Sequence, residues 1–453
     1  MLQLFGFLLL TMVTVCSYAA TGNMAAQQQL DDEYKKVTTL AYRELANTPS
    51  YKLPQADLNT LISEVVRADE DHKSERVIAL VTANMAIIQK NTNAKELPTI
   101  TAVLLKHHAI GIAEDIHQLI NNQGDRYSQA KQNFEFAKYE ANVNHWDKAF
   151  DWLKKIDIAN ELSKENGDEA YIIYGAALQH KKKHREALSY YARVKTDSAL
   201  YPIAQLNTAL GYIRQDWWTD AHISIEHALS TAGKDDVEIV NRLYTTLGFS
   251  QLQQGFYRNA RDSFRNVKIK SAYANRALLG IGLAALNQED FVGALNAFNQ
   301  LKTHSENDMP VAQSYLMAAF TLTRIKQNET ASVSYTEAIS YYEQKTNFYD
   351  GLANEIKSNN PANQTLLVNK ILTDIEKEEP ELSLLADELN TLQRLNNSSL
   401  SPNTLIQISK LYGNLLPTFL AKANDVVAKK QLAFNSYLNQ SRFGLTKLYD
   451  TNN

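Results

Sequence analysis

Ala187 and Ala221 are 34 residues apart, and Ala260 and Ala294 are again 34 apart. Each of these alanines follows another small residue by 12 positions: Gly175, Ala209, Gly248 and Gly282, with Ala319 and Ala331 repeating the pair. A large apolar residue stands four positions after each alanine (Tyr191, Ile225, Phe264, Phe298, Tyr335). A small or aliphatic one stands seven after (Val194, Ala228, Val267, Leu301, Ala338). A fixed period of this length is the mark of stacked helix–turn–helix units, each too small to bury its own apolar face, so that only an array gives a continuous core. The small residues, one on each helix of a pair, let two backbones approach closely. The aromatic lies one turn further along the second helix, on the same face, where it fills the gap beside the next unit.

This pattern resembles the tetratricopeptide repeat family. The unit from Asp168 to Tyr201 carries Tyr171, Tyr174, Gly175, Ala187, Tyr191 and Val194 at the motif positions. The unit from Arg242 carries Tyr244, Leu247, Gly248, Ala260, Phe264 and Val267, and the unit from Asn275 carries Leu278, Ile281, Gly282, Ala294, Phe298 and Leu301. Tyr315, Ala318, Ala319, Ala331, Tyr335 and Ala338 make a further unit, and Ala137, Ala149, Leu153 and Ile156 a weaker one before the rest. The spacing from Ala221 to Ala260 is 39, which places a lengthened loop at Thr231–Val237; that from Ala294 to Ala331 is 37, and the motif tryptophan is absent from the first helices. The resemblance implies an all-α fold: a right-handed α-solenoid of tetratricopeptide-like helical hairpins with helical N- and C-terminal extensions.

Composition agrees with helices. The 453 residues include only 16 Gly and 9 Pro, and no run of alternating β-branched residues calls for a sheet. The formal net charge of −4 gives no electrostatic footprint for nucleic acid. Leu2 to Val15 is almost wholly apolar and Ser17-Tyr18-Ala19-Ala20 offers small residues for cleavage, so residues 1–20 read as a secretory signal peptide, one without a basic residue before its apolar run. That run is short for a bilayer span, so no stable membrane anchor is expected after cleavage. Cys16 is the only cysteine, and cleavage after Ala19 leaves a chain without a thiol. The expected location is the periplasm or the exterior of a bacterium.

Residues 21–29 are small and polar and are expected to be disordered. Leu30–Ala46, a segment opened by Pro54, Ser74–Lys90 and the stretch Pro98–Asn121 read as helices without the 34-residue motif, making 21–129 a region of degenerate repeats or a cap. The array spans 130–345. A boundary at Lys357–Thr365 opens a C-terminal helical region, 346–453, with Leu382, Leu385, Leu389 and Leu392 as a stripe packed on its own domain, and Thr404–Tyr449 as a helix interrupted at Pro417.

No catalytic or metal constellation emerges, and no cofactor is expected. His180 and His184 fall in a turn with no Glu beside them, His107, His108 and His117 lie on a helix without paired carboxylates, and His222 and His227 do not share a face. Glu376, Glu378 and Glu379 read as a solvated charge run. Function therefore falls to the groove lined by the first helices of the repeats. In the family's register the lining includes Leu206, Leu210, Arg214, Arg242, Phe249, Arg276, Leu283, Leu316, Phe320 and Arg324, apolar with arginines at its edge. Shifted by one residue, the same apolar positions would be core. Chaperone-gripping members carry Lys and Asn where this chain has Ile172, Ala176, Asn207, Arg276 and Gly280, which excludes that ligand class. An exposed apolar groove calls for a cover: an amphipathic helix, supplied by the chain's own Thr404–Tyr449 (Leu405, Ile408, Leu411, Leu415, Phe419) or by another envelope protein. The expected role is a non-enzymatic scaffold of the cell envelope that binds a helical or extended peptide segment during assembly or secretion of surface components. The alternative is a periplasmic module for polysaccharide or peptidoglycan, its 23 tyrosines stacking on sugars.

Overall fold

The structure, a computed structural model, describes residues 22–450 apart from 52–53, 234–235, 305–307, 359–363 and 376–379. The expected signal peptide, the run of Glu376, Glu378 and Glu379, and most of the Lys357–Thr365 boundary lie outside the described residues. Among the described residues there are helices and no strand. The chain opens with α1 (Gly22–Ala46). Four hairpins follow: α2 (Leu58–Glu70) with α3 (Ser74–Ala83); past the short α4 (Met85–Gln89), α5 (Leu97–Lys106) with α6 (Ile110–Gln123); α7 (Arg126–Asn142) with α8 (Trp146–Leu153); and past the single turn α9 (Ile158–Glu161), α10 (Lys164–His180) with α11 (His184–Tyr191). Four more are α12 (Tyr201–Ile213) with α13 (Trp218–Thr231), α14 (Val237–Gln253) with α15 (Tyr257–Arg265), α16 (Ala274–Asn287) with α17 (Phe291–Leu301), and α18 (Met309–Arg324) with α19 (Asn328–Ser358). Three helices close the chain: α20 (Gln364–Ile375), α21 (Pro380–Asn396) and α22 (Pro402–Asp450). They gather into two compact units, an N-terminal one of residues 22–193 with 380–422 and a C-terminal one of 194–375 with 423–450.

One turn is used in all eight hairpins. Its central residue has φ between 55° and 79°: His72, His108, Asn144, Lys182, Asp216, Gly255, Glu289 and Lys326. The amide that follows returns to the carbonyl five residues back, as from Lys183 N to Leu178 O at 2.9 Å and from Asp290 N to Ala285 O at 2.9 Å, which closes the end of the first helix. His72, His108 and Asn144 are evenly spaced by 36, so the first three hairpin turns recur at one period. The residue five after each turn centre is Val77, Ala113, Ala149, Ala187, Ala221, Ala260, Ala294 or Ala331, and each is fully buried.

The glycines explain the close approach. A Cβ at Gly175 would stand 2.4 Å from the Tyr191 ring, one at Gly248 2.5 Å from Phe264, and one at Gly282 2.4 Å from Phe298. The large apolar residue of each second helix thus lies first on the small residue of its own hairpin. Phe264 also meets Gly280 of the following hairpin at 2.3 Å, so one ring ties two units.

Four expectations change. Residues 22–29 belong to α1: Met24 to Gln29 are good helix formers, and the Gln28 amide reaches Asp32 at 3.2 Å. Pro98–Asn121 is two helices, because the chain turns at His107-His108 rather than carrying them on a helix. Ser74–Lys90 breaks at Asn84. α22 continues through Pro417. A helix-interior proline costs about 3 kcal/mol, which burial of Leu415, Leu416, Phe419 and Leu420 on both sides of it offsets. The stripe of α21 packs within its own unit as expected, with Leu382, Leu385, Leu389 and Leu392 all buried.

Candidate functional site

In the C-terminal unit the first helices α12, α14, α16 and α18 pack side by side. Their exposed faces follow one register, counted from the small residue of each (Ala209, Gly248, Gly282, Ala319). Six positions before it stand Ile203, Arg242, Arg276 and Gln313; one after it, Leu210, Phe249, Leu283 and Phe320; five after it, Arg214, Gln253, Asn287 and Arg324. All twelve are accessible, and the offsets fall on one face of a helix. The position three before the small residue belongs to the core instead: Leu206, Thr245 and Leu279 are buried. Leu206 is therefore not a lining residue. It sits in a cluster with Ala209, Ala221, Ile225 and Leu243, because a residue there points back at the partner helix. Leu316 is half-buried and packs on the cluster that holds Ala319, Ala331 and Tyr335.

The lining is thus one apolar row between two rows that are polar except at Ile203. Each member of that row is half in the core: Leu210 packs on the cluster around Ile225, Phe249 stands edge-on to Phe264 at 4.9 Å, and Leu283 and Phe320 pack on the cluster around Phe298. This anchorage fixes their positions without removing them from solvent. Arg214, Arg242, Arg276 and Arg324 are exposed, and Arg324 approaches Glu289 at 3.9 Å. The only acidic side chain on these four helices is Glu238, whose carboxylate accepts the Ser271 hydroxyl at 2.8 Å. The surface is cationic through arginine alone.

The C-terminal helix does not lie along this row. Within the same unit its residues 434–448 close the end of the last hairpin. Phe434 stacks on Tyr349 at 5.6 Å, the Tyr437 hydroxyl accepts the Gln313 amide at 2.9 Å, and a Cβ at Gly444 would stand 2.4 Å from Tyr335. Gly444 stands to Tyr335 as Gly280 stands to Phe264, so the helix end lies against α19 in the place that the first helix of a following hairpin takes elsewhere. The upstream part, with Ile408, Leu411, Leu415 and Phe419 buried, belongs to the other unit.

The histidines are structural. His117 takes the place of the repeat aromatic, edge-on to Phe136 and Trp152 at 5.5 and 5.1 Å, and burial lowers its pKa. His180 stacks on Trp146 at 4.5 Å, and His222 Nε2 meets Ser250 Oγ at 2.8 Å. Two Ser–His–Asp groupings are visible only in three dimensions. His107 bridges Ser74 Oγ (2.9 Å) and Asp69 (2.8 Å), but Lys106 holds the same carboxylate at 2.8 Å, so Asp69 is already neutralised and the chain of bonds ties two hairpins together. His108, Ser383 and Asp387 line one cleft, yet the His108 nitrogens face Asp387 at 3.5 Å and the Tyr139 hydroxyl at 3.3 Å, leaving neither to accept a proton from Ser383. Among the described residues no three or more His, Cys, Asp or Glu side chains gather as a metal site, and no helix is long and apolar enough to cross a membrane.

No family model matches the chain, and no curated protein matches it in sequence. Solved structures do. The apo form of RapI is 10% identical, covers 76% of this chain and 99% of its own, and superposes with a TM-score of 0.48. The apo quorum sensor NprR from B. thuringiensis is 11% identical over 78% of this chain and 98% of its own, with a TM-score of 0.36. Cut9, in the APC/C hetero-tetramer Cut9-Hcn1, is 13% identical over 78% and 73%, with a TM-score of 0.29.

Proposed function

We propose that this chain is a non-enzymatic protein–protein interaction scaffold of the bacterial cell envelope, serving assembly or secretion of surface components. Its row of Leu210, Phe249, Leu283 and Phe320 grips an extended, acidic segment of a partner. The observation that carries the reading is the width of the row. An amphipathic helix presents an apolar stripe at least about 100° wide and satisfies its own backbone. One apolar residue on each of α14, α16 and α18 and two on α12 (Ile203 and Leu210), with Arg242 and Arg276 on one side and Arg214, Gln253, Asn287 and Arg324 on the other, suit a chain that is apolar on one edge and needs polar partners along its backbone. Packed helices lie about 8–10 Å apart, and a polyproline II chain brings every third side chain back to the same edge at a rise of about 3.1 Å per residue. Every third ligand side chain therefore meets the next anchor. Arginine binds carboxylates through paired N–H groups, which selects acidic residues between the anchors.

The polysaccharide reading is weaker, because tyrosine faces that could stack on sugar are stacked on each other: Tyr174 on Tyr190 at 4.2 Å, and Tyr315 on Tyr341 at 4.1 Å. Export rests on the apolar leading segment. A display library of unstructured peptides panned on the full-length chain tests the groove. The expected winners are acidic with apolar residues at every third position, and they lose about tenfold in affinity on the Arg242→Ala/Arg276→Ala variant, two exposed ion pairs at about 0.2–1 kcal/mol each. Winners bound equally well by that variant and by Phe249→Ala overturn the site. Retention on cell-wall sacculi without a protein partner overturns the scaffold, and a full-length chain recovered from the cytoplasm overturns the location.

A further inference from the structure

α21 is held in the N-terminal unit by its leucine stripe, and Glu388 is buried in the middle of that contact, only 5% exposed. The charged and phenolic groups that act on its carboxyl come from three other helices and from α21 itself. α1 brings Tyr34 and Asp31, α7 brings Tyr139, α8 brings Lys148, and α21 itself adds Asp387. Lys148 is already engaged by Asp31 at 3.0 Å, and Asp387 lies 3.5 Å from His108 in the turn between α5 and α6. A glutamate 5% exposed on a helix whose Leu385, Leu389 and Leu392 are buried, with two other carboxylates acting on it and Lys148 committed to Asp31, is poorly placed to carry charge. Its tyrosine neighbours show the same strain: Tyr34 and Tyr139 are both raised, by burial first and by Glu388 next.

We propose that Glu388 is a proton-operated latch, and that α21 docks in the N-terminal unit with this carboxyl protonated and loosens as it ionises. Burial, with Asp31 and Asp387 adding to it and Lys148 opposing, pushes the docked carboxyl up to about 8 from 4.5. A released helix frees its proton near 4.5. Between those two values the docked form holds a proton that the released form has lost, so docking weakens as pH rises, and levels off above the upper value. The leucine stripe keeps the helix in place at low pH, and ionisation opposes it.

Hydrogen exchange on the full chain between pH 5 and 9, expressed as protection so that the intrinsic pH dependence is removed, reads the latch directly. Protection of residues 380–396 should fall by roughly tenfold per pH unit up to about pH 7 and flatten above 8, while α10 stays level. Glu388→Gln keeps the shape, removes the slope and leaves α21 more protected than wild type at pH 8. Asp31→Asn removes one repelling charge and releases Lys148, so its plateau begins at lower pH. A flat wild-type profile, a slope that survives Glu388→Gln, or an α10 that opens in step with α21 each overturns the latch.

Discussion

The Phe264 ring is clamped between Gly248 and Gly280, on consecutive hairpins, with no room for a methyl group on either side. Gly280→Ala should therefore destabilise the C-terminal unit by about 1–3 kcal/mol, the cost of overpacking a filled core, and lower its urea midpoint. Gly351 in α19 has nothing within 4 Å of its would-be Cβ. Gly351→Ala should instead raise stability by about 0.4–1 kcal/mol by restricting the unfolded chain. The two substitutions are identical on paper, and the difference lies entirely in what surrounds them. Lys182 makes the converse case. It holds φ 60° at a hairpin turn, a conformation that costs a residue with a Cβ about 1–2 kcal/mol. Glycine there loses about 0.4–1 kcal/mol more backbone entropy on folding, so Lys182→Gly should gain about 0.5 kcal/mol. Asn144→Gly should gain less, because asparagine tolerates that region. Chemical denaturation of the four variants separates these cases by sign.

Hairpins were legible in proportion to how small their contact residues are. From Gly175 onward the small–small–aromatic pattern falls on the helix pairs that the structure shows. In α2 and α5 the corresponding residues are Val65 and Thr101, both buried, and no search for glycine or alanine at that spacing finds them. The signal that does run through all eight hairpins is the turn conformation, and seven of its eight residues are not glycine, so the sequence does not display it. The lining shows the same limit. Leu206 and Leu210 differ by one helical turn, and both are apolar, but only packing reveals that the first faces the partner helix. The end of α22 gave no hint of its role either, because a helix that covers the end of a hairpin need not match the repeat whose place it takes. Gly444 now makes that role testable. Gly444→Leu should force the helix end off Tyr335 and expose Ala319, Ala331 and Tyr335, raising binding of a hydrophobic dye and lowering the melting temperature. Truncation after residue 422 should do so more strongly, whereas Gly413→Leu, with nothing within 4 Å of its Cβ, should leave the cap in place. Equal dye binding by the Gly444 and Gly413 variants would remove the cap.

Over the chain as a whole, opposed titrations fix where stability peaks. Asp57, Asp125 and Asp290 accept backbone N–H groups at helix starts, which holds each carboxyl below its usual value. Stability from such groups is present above the unfolded value of about 3.9 and is lost as pH falls through the lower folded one. His107, His117 and His222 are kept neutral mainly by burial, and their pKa values are lowered. The unfolded chain takes up protons there first, so stability falls as pH drops below about 6.5. Glu388 and Glu135, both raised chiefly by burial, pull the other way, and the contribution of Glu388 is complete below 4.5 and is lost as pH rises to about 8. Three histidines outweigh these two carboxyls below their unfolded value, and above it the carboxyls still slope. The melting temperature should therefore be highest near pH 6.5, falling steeply on the acid side and gently to pH 8 on the other. In Glu388→Gln the acid limb should persist while the gentle limb flattens. Calorimetry across pH 4 to 9 checks both limbs at once. A wild-type maximum above pH 8 would mean that Glu388 is ionised in the folded chain at neutral pH, with a cation closer to it than Lys148 is here.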